Sequence, residues 1–204
     1  MSVSNRRERE QQMRREAILD SSRKLFNDRG FELTTIDAIA SSAELGKGTI
    51  YSYFSSKEEI YIAMLDRELS ILKENMRKAV SDSNTAVEAL ENLYSTFLHH
   101  HKEYHLTETL FVQTDDQRFI RLGGLLSNLR QRATEWVQLV GGVLKWGIER
   151  NELVDCDVEK MAKVIIGMIL GITLQQRMGQ IADNLEEYRT SLFKLVLSGI
   201  KLSV

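Results

Sequence analysis

A cation and several hydroxyl groups lie within seven consecutive residues of this 204-residue chain, in the segment KGTIYSY at residues 47–53. Ammonium groups and hydroxyls bind phosphate oxygens and the edges of bases, and a glycine lets a backbone approach its ligand closely. This segment is therefore a candidate for contact with nucleic acid. The candidate residues are Lys47, Gly48, Thr49, Tyr51, Ser52 and Tyr53.

Two predicted helix N-termini add three more candidates. Thr34 and Thr35 lie at the start of one predicted helix, and Lys57 lies at the start of another. Free N–H groups and the helix dipole attract phosphate at such positions. Residues 1–57 hold 10 Lys and Arg against 8 Asp and Glu, whereas the rest of the chain holds 17 against 21. The N-terminal part is thus weakly basic.

Two short helices joined by a turn are predicted to position these side chains. The capping pattern of Thr34 and Asp37 predicts a helix over residues 35–42, and residues 43–46 form a tight turn before a second helix over 47–53. In this helix-turn-helix geometry the second helix enters the DNA major groove. The positions expected to pack against Leu25 and Phe26 are Ile36, Ile39, Ala40, Leu45 and Ile50.

Composition favours an all-helical protein. The chain contains no proline and one cysteine, and 43% of its residues are apolar. Proline fixes turns and interrupts helices, so its absence fits helices joined by short connections. A single cysteine excludes a disulfide framework, and this apolar fraction excludes global disorder. The predicted fold class is all-α.

Helical periodicity and capping patterns divide the rest of the chain. Gly30 is expected to end the first helix, and the pattern of Ser56 and Glu59 begins a long one. Later helices are predicted over residues 85–103, 106–113, 117–150, 157–178 and 184–201. Flexible segments are expected at residues 1–8 and about 80–85.

The motifs of residues 14–61 resemble the N-terminal domain of the TetR family of bacterial transcriptional regulators. The runs LF-x-x-x-G-F, TT-x-x-x-IA, KGTIY-x-YF and SKEE fall at the family's spacings. The resemblance implies a three-helix DNA-binding domain over residues 1–56 and an effector-binding and dimerisation bundle over residues 57–204. It also implies a repressor that binds a palindromic double-stranded DNA operator as a homodimer and is released by a small molecule. The family's DNA-contacting positions fall on residues 35, 47–49, 51–53 and 57.

The turn departs from the family pattern. It usually reads A-G-V-S, and here it reads Ala43-Glu44-Leu45-Gly46. Glycine is an acceptable N-cap, so the fold is expected to be preserved, but the phosphate contact of the serine is lost. Glu44 brings an acid near the DNA, and this change should weaken affinity slightly.

Aromatic and apolar residues of the second domain are either core residues or the walls of a ligand cavity. Helical bundles hold small molecules between facing helices, and the family resemblance favours a cavity among residues 85–180. The proposed walls are Tyr94, Phe97, Phe111, Trp136 and Val140, with His101, Tyr104 and Gln138 as polar anchors. Such walls favour a small hydrophobic or amphipathic effector over a sugar or a phosphate. No cofactor is predicted.

The predicted helix over residues 157–178 is apolar on more than one face, which requires a second burial partner. Gly167 and Gly171 lie one turn apart and permit close approach of another backbone. We expect this helix and the helix over residues 184–201 to meet their two-fold mates in a four-helix interface. The interface candidates are Val164, Gly167, Gly171, Leu174, Leu192, Phe193, Val196 and Ile200.

Three further features have competing interpretations. The arginines of residues 6–15 form either a solvated arm or an arm that contacts phosphates or the minor groove. The histidines of residues 99–105 are surface or pocket residues, or with Glu108 they form a metal site; no metal is predicted. Cys156 lies between two aspartates, which raise a thiol pKa and disfavour a redox-sensor role.

No nucleophile–base set, phosphate-binding loop or carboxylate pair stands out, so the chain is not predicted to be an enzyme. The alternatives to a repressor are a transcriptional activator or co-regulator, and a metal-binding helical bundle with an incidental helix-turn-helix. The longest uncharged apolar run, residues 164–176, is shorter than the ~20 residues of a membrane span. The N-terminus is too polar for a signal peptide. These features predict a cytoplasmic protein without membrane contact.

Overall fold

The computed structural model describes the backbone of residues 3–104, 123–181 and 185–200, and these residues form eight α-helices. The predicted all-α fold class is confirmed. The helices are α1 Val3–Leu33, α2 Ile36–Ser42, α3 Lys47–Tyr53, α4 Lys57–Ser81, α5 Ala86–Tyr104, α6 Gly123–Glu149, α7 Val158–Arg177 and α8 Leu185–Ile200.

The predicted helix bounds agree closely with the structure where both exist. The second short helix has the predicted bounds, and α5, α7 and α8 differ from their predictions by one residue at each end. The helix predicted over residues 106–113 lies outside the described residues. The sequence predicts a flexible segment over residues 1–8, and the structure places residues 3–8 in the first turns of α1.

The chain divides into two compact units. Unit 1 contains residues 1–68 and 113–128, and unit 2 contains residues 69–112 and 129–204. The first boundary between the units, after Glu68, falls inside α4. The sequence prediction set the domain boundary after residue 56, just before this helix begins.

Unit 1 has a core to which α1, α2, α3 and α4 all contribute. Its fully buried apolar side chains are Ile18, Leu19, Ile39, Ile50, Ile60 and Ile62. Three aromatic rings extend this core: the Phe26 and Tyr61 centroids lie 5.1 Å apart in an edge-to-face arrangement, and the Phe31 centroid lies 5.0 Å from that of Tyr61. The two short helices are thereby fixed against α1 and α4.

The end of α1 bends at Gly30, whose φ of 76° is a conformation that glycine adopts without a steric penalty. The hydroxyl of Thr34 donates to the Gly30 carbonyl at 2.8 Å, with the Leu25 carbonyl at 3.2 Å. Thr34 is buried, so its side chain closes the bend from inside the unit. The sequence predicts that the first helix ends at Gly30; it bends there instead, and α1 continues to Leu33.

Unit 2 is a helical bundle in which α8 packs against α5 and α7. The Tyr94 hydroxyl donates to the Leu185 carbonyl at 3.3 Å, and the Phe193 ring meets the edge of the Tyr94 ring at 5.4 Å. Lys73 on α4 and Glu135 on α6 form an ion pair at 2.7 Å. Within the described ranges, no helix is long and apolar enough to cross a membrane.

One glycine of α6 is required by close packing. A Cβ atom on Gly147 would lie 2.6 Å from the Ala86 Cβ and 2.6 Å from the Leu153 Cδ1. The side chain of Glu152 accepts a hydrogen bond from the Ala86 N–H at 2.6 Å, which satisfies a free donor at the start of α5. The contact between α5 and the end of α6 thus requires a residue without a side chain at position 147.

Candidate nucleic-acid interface and ligand cavity

The helix α2 is capped and anchored so that its position is fixed. The Thr35 hydroxyl accepts a hydrogen bond from the Ala38 N–H at 3.1 Å, and Ile39 and Ala40 are buried. The sequence prediction gave the capping role to Thr34. The Thr34 hydroxyl is buried and bonded to carbonyls of α1, so it faces the interior of unit 1.

The helix α3 has one buried anchor and an exposed face. Ile50 is completely buried, whereas Lys47, Gly48, Tyr51 and Ser52 are exposed. Half of the Tyr51 surface is accessible. The predicted candidates that remain, Thr49 and Tyr53, are half-buried. The exposed face of α3 can therefore present the Tyr51 phenol, the Ser52 hydroxyl, the Lys47 ammonium group and the Gly48 backbone to one ligand surface.

The turn between α2 and α3 holds a glutamate in an unfavourable backbone conformation. Glu44 has a φ of 55°, in the left-handed region that favours glycine. Hydrogen bonds hold the turn in place, with the Leu45 N–H donating to the Ala40 carbonyl at 2.9 Å. Gly46 caps α3 without a side-chain hydrogen bond, as the sequence prediction expected from the loss of serine.

The cation of α3 is already paired. Lys47 Nζ lies 2.9 Å from the Asp37 carboxylate on α2, and this hydrogen bond and the charge of Asp37 raise the pKa of Lys47. Both side chains are largely exposed, so the pair is accessible to solvent and to a competing anion. Sequence reasoning missed this pair because it assigned Asp37 to capping. A phosphate that binds Lys47 must therefore compete with an internal carboxylate.

Lys57 is bonded to backbone in a way that the sequence did not indicate. Its ammonium group donates to the carbonyls of Phe31 and Thr34 at 2.8 and 3.0 Å, with the Glu32 carbonyl at 3.4 Å. It also lies 4.3 Å from the centre of the Phe31 ring. The Phe31 and Glu32 carbonyls belong to the last turn of α1 and the Thr34 carbonyl directly follows it, and a positive charge is stabilised there by the helix dipole. These hydrogen bonds give Lys57 a structural role in unit 1, and the predicted phosphate contact stays a prediction.

The basic N-terminal residues lie on the first turns of α1. Arg6 pairs with Glu10 at 3.2 Å on the same helix face, and Arg7, Arg9 and Arg14 are exposed. The structure thus supports a solvated helical surface. It provides no geometry that favours minor-groove contact.

Unit 1 also contains a buried carboxylate within an ion cluster. Glu68 is only 1% exposed, and Arg67 pairs with it at 3.0 Å and with Glu16 and Asp20 at 2.9 Å each. Burial raises the pKa of Glu68, and the adjacent guanidinium of Arg67 only partly opposes this shift. The cluster ties α4 to α1.

A small apolar cavity lies inside unit 2, with a volume of about 30 Å³. Four of the predicted ligand-binding residues line it: Tyr94, Phe97, Trp136 and Val140. The other lining residues are Met76, Leu90, Leu93, Ile165, Ile166, Ile169 and Leu170. The sequence analysis named no α7 residue among the cavity walls, and the α7 residues that line the cavity are different from those it assigned to the dimer interface.

The other four predicted ligand-binding residues are not among the described residues that line the cavity. His101 is buried and its ring stacks parallel to that of Phe97 at 6.2 Å, so it lies behind the cavity wall. Gln138 is exposed and lines an open groove between α6 and α7 instead of the cavity. The side chain of Tyr104 and all of Phe111 lie outside the described residues.

The histidine and cysteine side chains show no metal or redox site in the part of the chain that the structure describes. His99 is exposed and His100 is buried, and no group of three metal-ligating residues occurs among the described residues. His105 lies outside them. Burial and the flanking aspartates raise the pKa of Cys156, in the direction that the sequence predicted.

The predicted interface residues differ in their exposure within the single chain. Val164 and Gly167 are exposed on α7, and no described residue lies within 4 Å of a Cβ placed on Gly167 or Gly171. Phe193 and Val196, by contrast, are buried within the single chain, and Phe193 packs on Tyr94. These two belong to the core of unit 2. Leu174 is half-buried, and the side chains of Leu192 and Ile200 lie outside the described residues.

Comparison with known proteins decides the family. Residues 18–64 match the family model for bacterial regulatory proteins of the tetR family. The chain is 27% identical over 191 residues to the fatty acid metabolism regulator protein of Bacillus subtilis, covering 90% of this chain and 93% of that protein. The chain belongs to the TetR family.

A further curated protein and a solved structure are similar to this chain. The transcriptional repressor KstR2 of Mycobacterium tuberculosis is 28% identical over 143 residues, 69% of this chain and 71% of that protein. The crystal structure of FadR from Bacillus subtilis in complex with stearoyl-CoA has the same fold, with a TM-score of 0.74 and 23% identity over 90% of this chain and 98% of that one. This TetR-family protein is a DNA-binding transcriptional regulator, and its repressor relatives support a ligand-responsive repressor.

Proposed function

We propose that this protein represses transcription by binding a palindromic operator as a homodimer, with α3 in the major groove. The observation that carries the proposal is the contrast between the two faces of α3. Ile50 is fully buried, whereas Lys47 and Tyr51, one turn apart, are exposed. A helix anchored in this way presents side chains to base edges from a fixed backbone. A protein that binds chromosomal DNA acts in the bacterial cytoplasm.

Fluorescence anisotropy with DNA from upstream of the protein's own gene tests this proposal. Tyr51→Ala and Lys47→Ala should each reduce operator binding by about 1–3 kcal/mol without loss of helicity. Lys78→Ala, which removes an exposed lysine from unit 2, is the matched control and should bind as the wild type does. Unchanged affinity in both α3 variants would contradict the proposed interface. A promoter–reporter assay with and without the protein distinguishes repression from activation.

We further propose that the effector carries a long apolar portion that enters the cavity of unit 2. The lining is entirely aliphatic and aromatic in the described residues, which supports a hydrocarbon ligand. The similar FadR structure holds stearoyl-CoA, a molecule with such a chain. At about 30 Å³ the cavity is far smaller than the roughly 300–1,000 Å³ of ordinary ligand sites. The effector must therefore select an expanded form of unit 2, which couples its binding to a change of conformation.

Filling the cavity tests this second proposal. Val140→Phe adds volume inside the lining, so stearoyl-CoA should no longer reduce operator binding although DNA affinity is retained. Val137→Phe is the matched control, because Val137 lies on the same helix but faces the open groove. Release of the Val140→Phe variant at the same stearoyl-CoA concentration as the wild type would show that the effector binds elsewhere.

The homodimer part of the proposal rests on the exposed surface of α7. Val164 is 54% exposed, and Gly167 and Gly171 leave room for a second backbone on the same side. An exposed apolar helix face next to small residues fits a self-complementary two-fold contact. Gly171→Leu should produce monomers in sedimentation velocity, whereas Gly142→Leu, an equally open helical glycine on α6, should remain dimeric. A monomeric wild type at micromolar concentration would rule out this interface.

A further inference from the structure

The indole of Trp136 presents a buried hydrogen-bond donor that the fold does not use. Trp136 is 5% exposed, and its Nε1 has no hydrogen-bond partner among the described residues. The ring is held in place by edge-to-face contact with Phe97, with the centroids 5.9 Å apart. A desolvated N–H without an acceptor destabilises the folded state, so such a group is rarely retained without a partner.

The unused donor belongs to a residue that lines the apolar cavity of unit 2. The other polar group of the described lining, the Tyr94 hydroxyl, already donates to the Leu185 carbonyl at 3.3 Å. The indole N–H is therefore the donor that remains for a ligand in this lining. A ligand that enters the cavity binds most tightly if one of its acceptor atoms accepts a hydrogen bond from Nε1.

The lining also determines the charge of that acceptor. It contains no lysine, arginine or histidine among its described members, so nothing there offsets a negative charge. Burying a carboxylate without a cationic partner is strongly unfavourable, whereas a neutral carbonyl or hydroxyl oxygen needs only one good hydrogen bond. An uncharged oxygen within an apolar molecule matches the cavity in both respects.

We propose that the Trp136 indole N–H donates a hydrogen bond to an uncharged carbonyl or hydroxyl oxygen of the effector. The inference rests on the proposed effector cavity and specifies the class of ligand. It favours an acyl thioester, an ester or a ketone over a free fatty acid, whose carboxylate the lining does not neutralise. An acyl chain and a polycyclic ketone share this chemistry, and the experiment separates them.

Matched ligand pairs test the hydrogen bond itself. Stearoyl-CoA is compared with its S-octadecyl thioether, which lacks only the carbonyl oxygen, and androstenedione is compared with the hydrocarbon androstane. Calorimetric titrations use the wild type, Trp136→Phe and Trp146→Phe. The last is the control, because Trp146 lies on the same helix but does not line the cavity.

In the wild type, the carbonyl-bearing member of the correct pair should bind roughly 2- to 12-fold more tightly than its partner, which is the range expected for one hydrogen bond. The ratio should persist in Trp146→Phe and fall to about one in Trp136→Phe, as in a double-mutant cycle. A purely structural role of Trp136 would weaken both members of a pair equally. Stearate should bind more weakly than stearoyl-CoA.

The indole proton gives a direct readout, because the chain contains two tryptophans. In ¹H–¹⁵N spectra the Trp136 indole resonance should move downfield with the carbonyl ligand and not with its oxygen-free analogue, while the Trp146 resonance serves as reference. If both members of a pair bind equally and release the operator, the proposed hydrogen bond is refuted but the effector cavity stands. If no ligand of either pair binds, the proposed effector class fails, and this inference fails with it.

Discussion

Replacing Lys57 by methionine distinguishes a structural lysine from one that contacts DNA. The substitution keeps most of the aliphatic stem and removes the ammonium group that holds the carbonyls of Phe31 and Thr34. Hydrogen bonds to a charged donor contribute about 1.5–3 kcal/mol. The carbonyls of Lys57's partners are only part-buried and water can replace some of the lost bonds, so we expect a loss near the lower end of this range.

Urea unfolding measures this loss. Both tryptophans lie in unit 2, so their fluorescence reports on that unit, whereas far-UV circular dichroism reports on both units. Lys57→Met should lower the urea midpoint seen by circular dichroism and leave the fluorescence midpoint nearly unchanged. A folded domain has ~5–15 kcal/mol of stability, so unit 1 stays folded at 25 °C and operator affinity should change little.

Salt dependence provides the decisive contrast. A lysine that neutralises a phosphate adds about 0.9 to the slope of log affinity against log salt concentration. We expect Lys57→Met to leave that slope unchanged, whereas Lys47→Met should reduce it and leave stability nearly intact. A reduced slope together with an unchanged urea midpoint in Lys57→Met would refute the structural assignment and restore the phosphate contact.

Three further predictions follow from contacts described above. Asp37→Asn removes the carboxylate that competes with phosphate for Lys47, so operator affinity should rise in anisotropy titrations. Gly147→Ala should destabilise the protein by about 1–3 kcal/mol in thermal unfolding, whereas the open helical site Gly142→Ala should stabilise it by roughly 0.5–1 kcal/mol. Burial raises the pKa of Glu68, so the folded state binds the carboxyl proton more tightly than the unfolded state does. The stability of the wild type relative to Glu68→Gln should therefore fall as pH rises through the range in which the Glu68 carboxyl group titrates. Urea unfolding at a series of pH values measures this difference.

Local patterns were sufficient to predict the helix-turn-helix. Short-range capping and apolar spacing give the bounds of α3 and the buried positions Ile39, Ala40 and Ile50. They also predict the interaction between Ser56 and Glu59, whose N–H donates to the Ser56 hydroxyl at 3.2 Å. These features depend on residues within one or two turns of each other, which is the range that periodicity describes.

The contacts that the sequence did not predict join side chains to partners far along the chain. Lys57 bonds to carbonyls more than twenty residues away, because the bend at Gly30 returns the end of α1 to the start of α4. Phe193 carries the same apolar signature whether it meets Tyr94 or a second subunit. Hydrophobicity indicates that a residue is buried, but it does not identify the surface that buries it.

The strained turn has a consequence at the level of the genetic code. A residue with a side chain in the left-handed region costs about 1–2 kcal/mol relative to glycine, and Glu44 has a φ of 55°. Every glutamate codon becomes a glycine codon by one base change at its second position. A relaxed turn is therefore a single point mutation away, and Glu44→Gly should arise as a second-site suppressor when other substitutions bring unit 1 close to unfolding. The free energy of unfolding of the unit that carries the DNA-binding surface can thus be increased by one base change in the codon of Glu44.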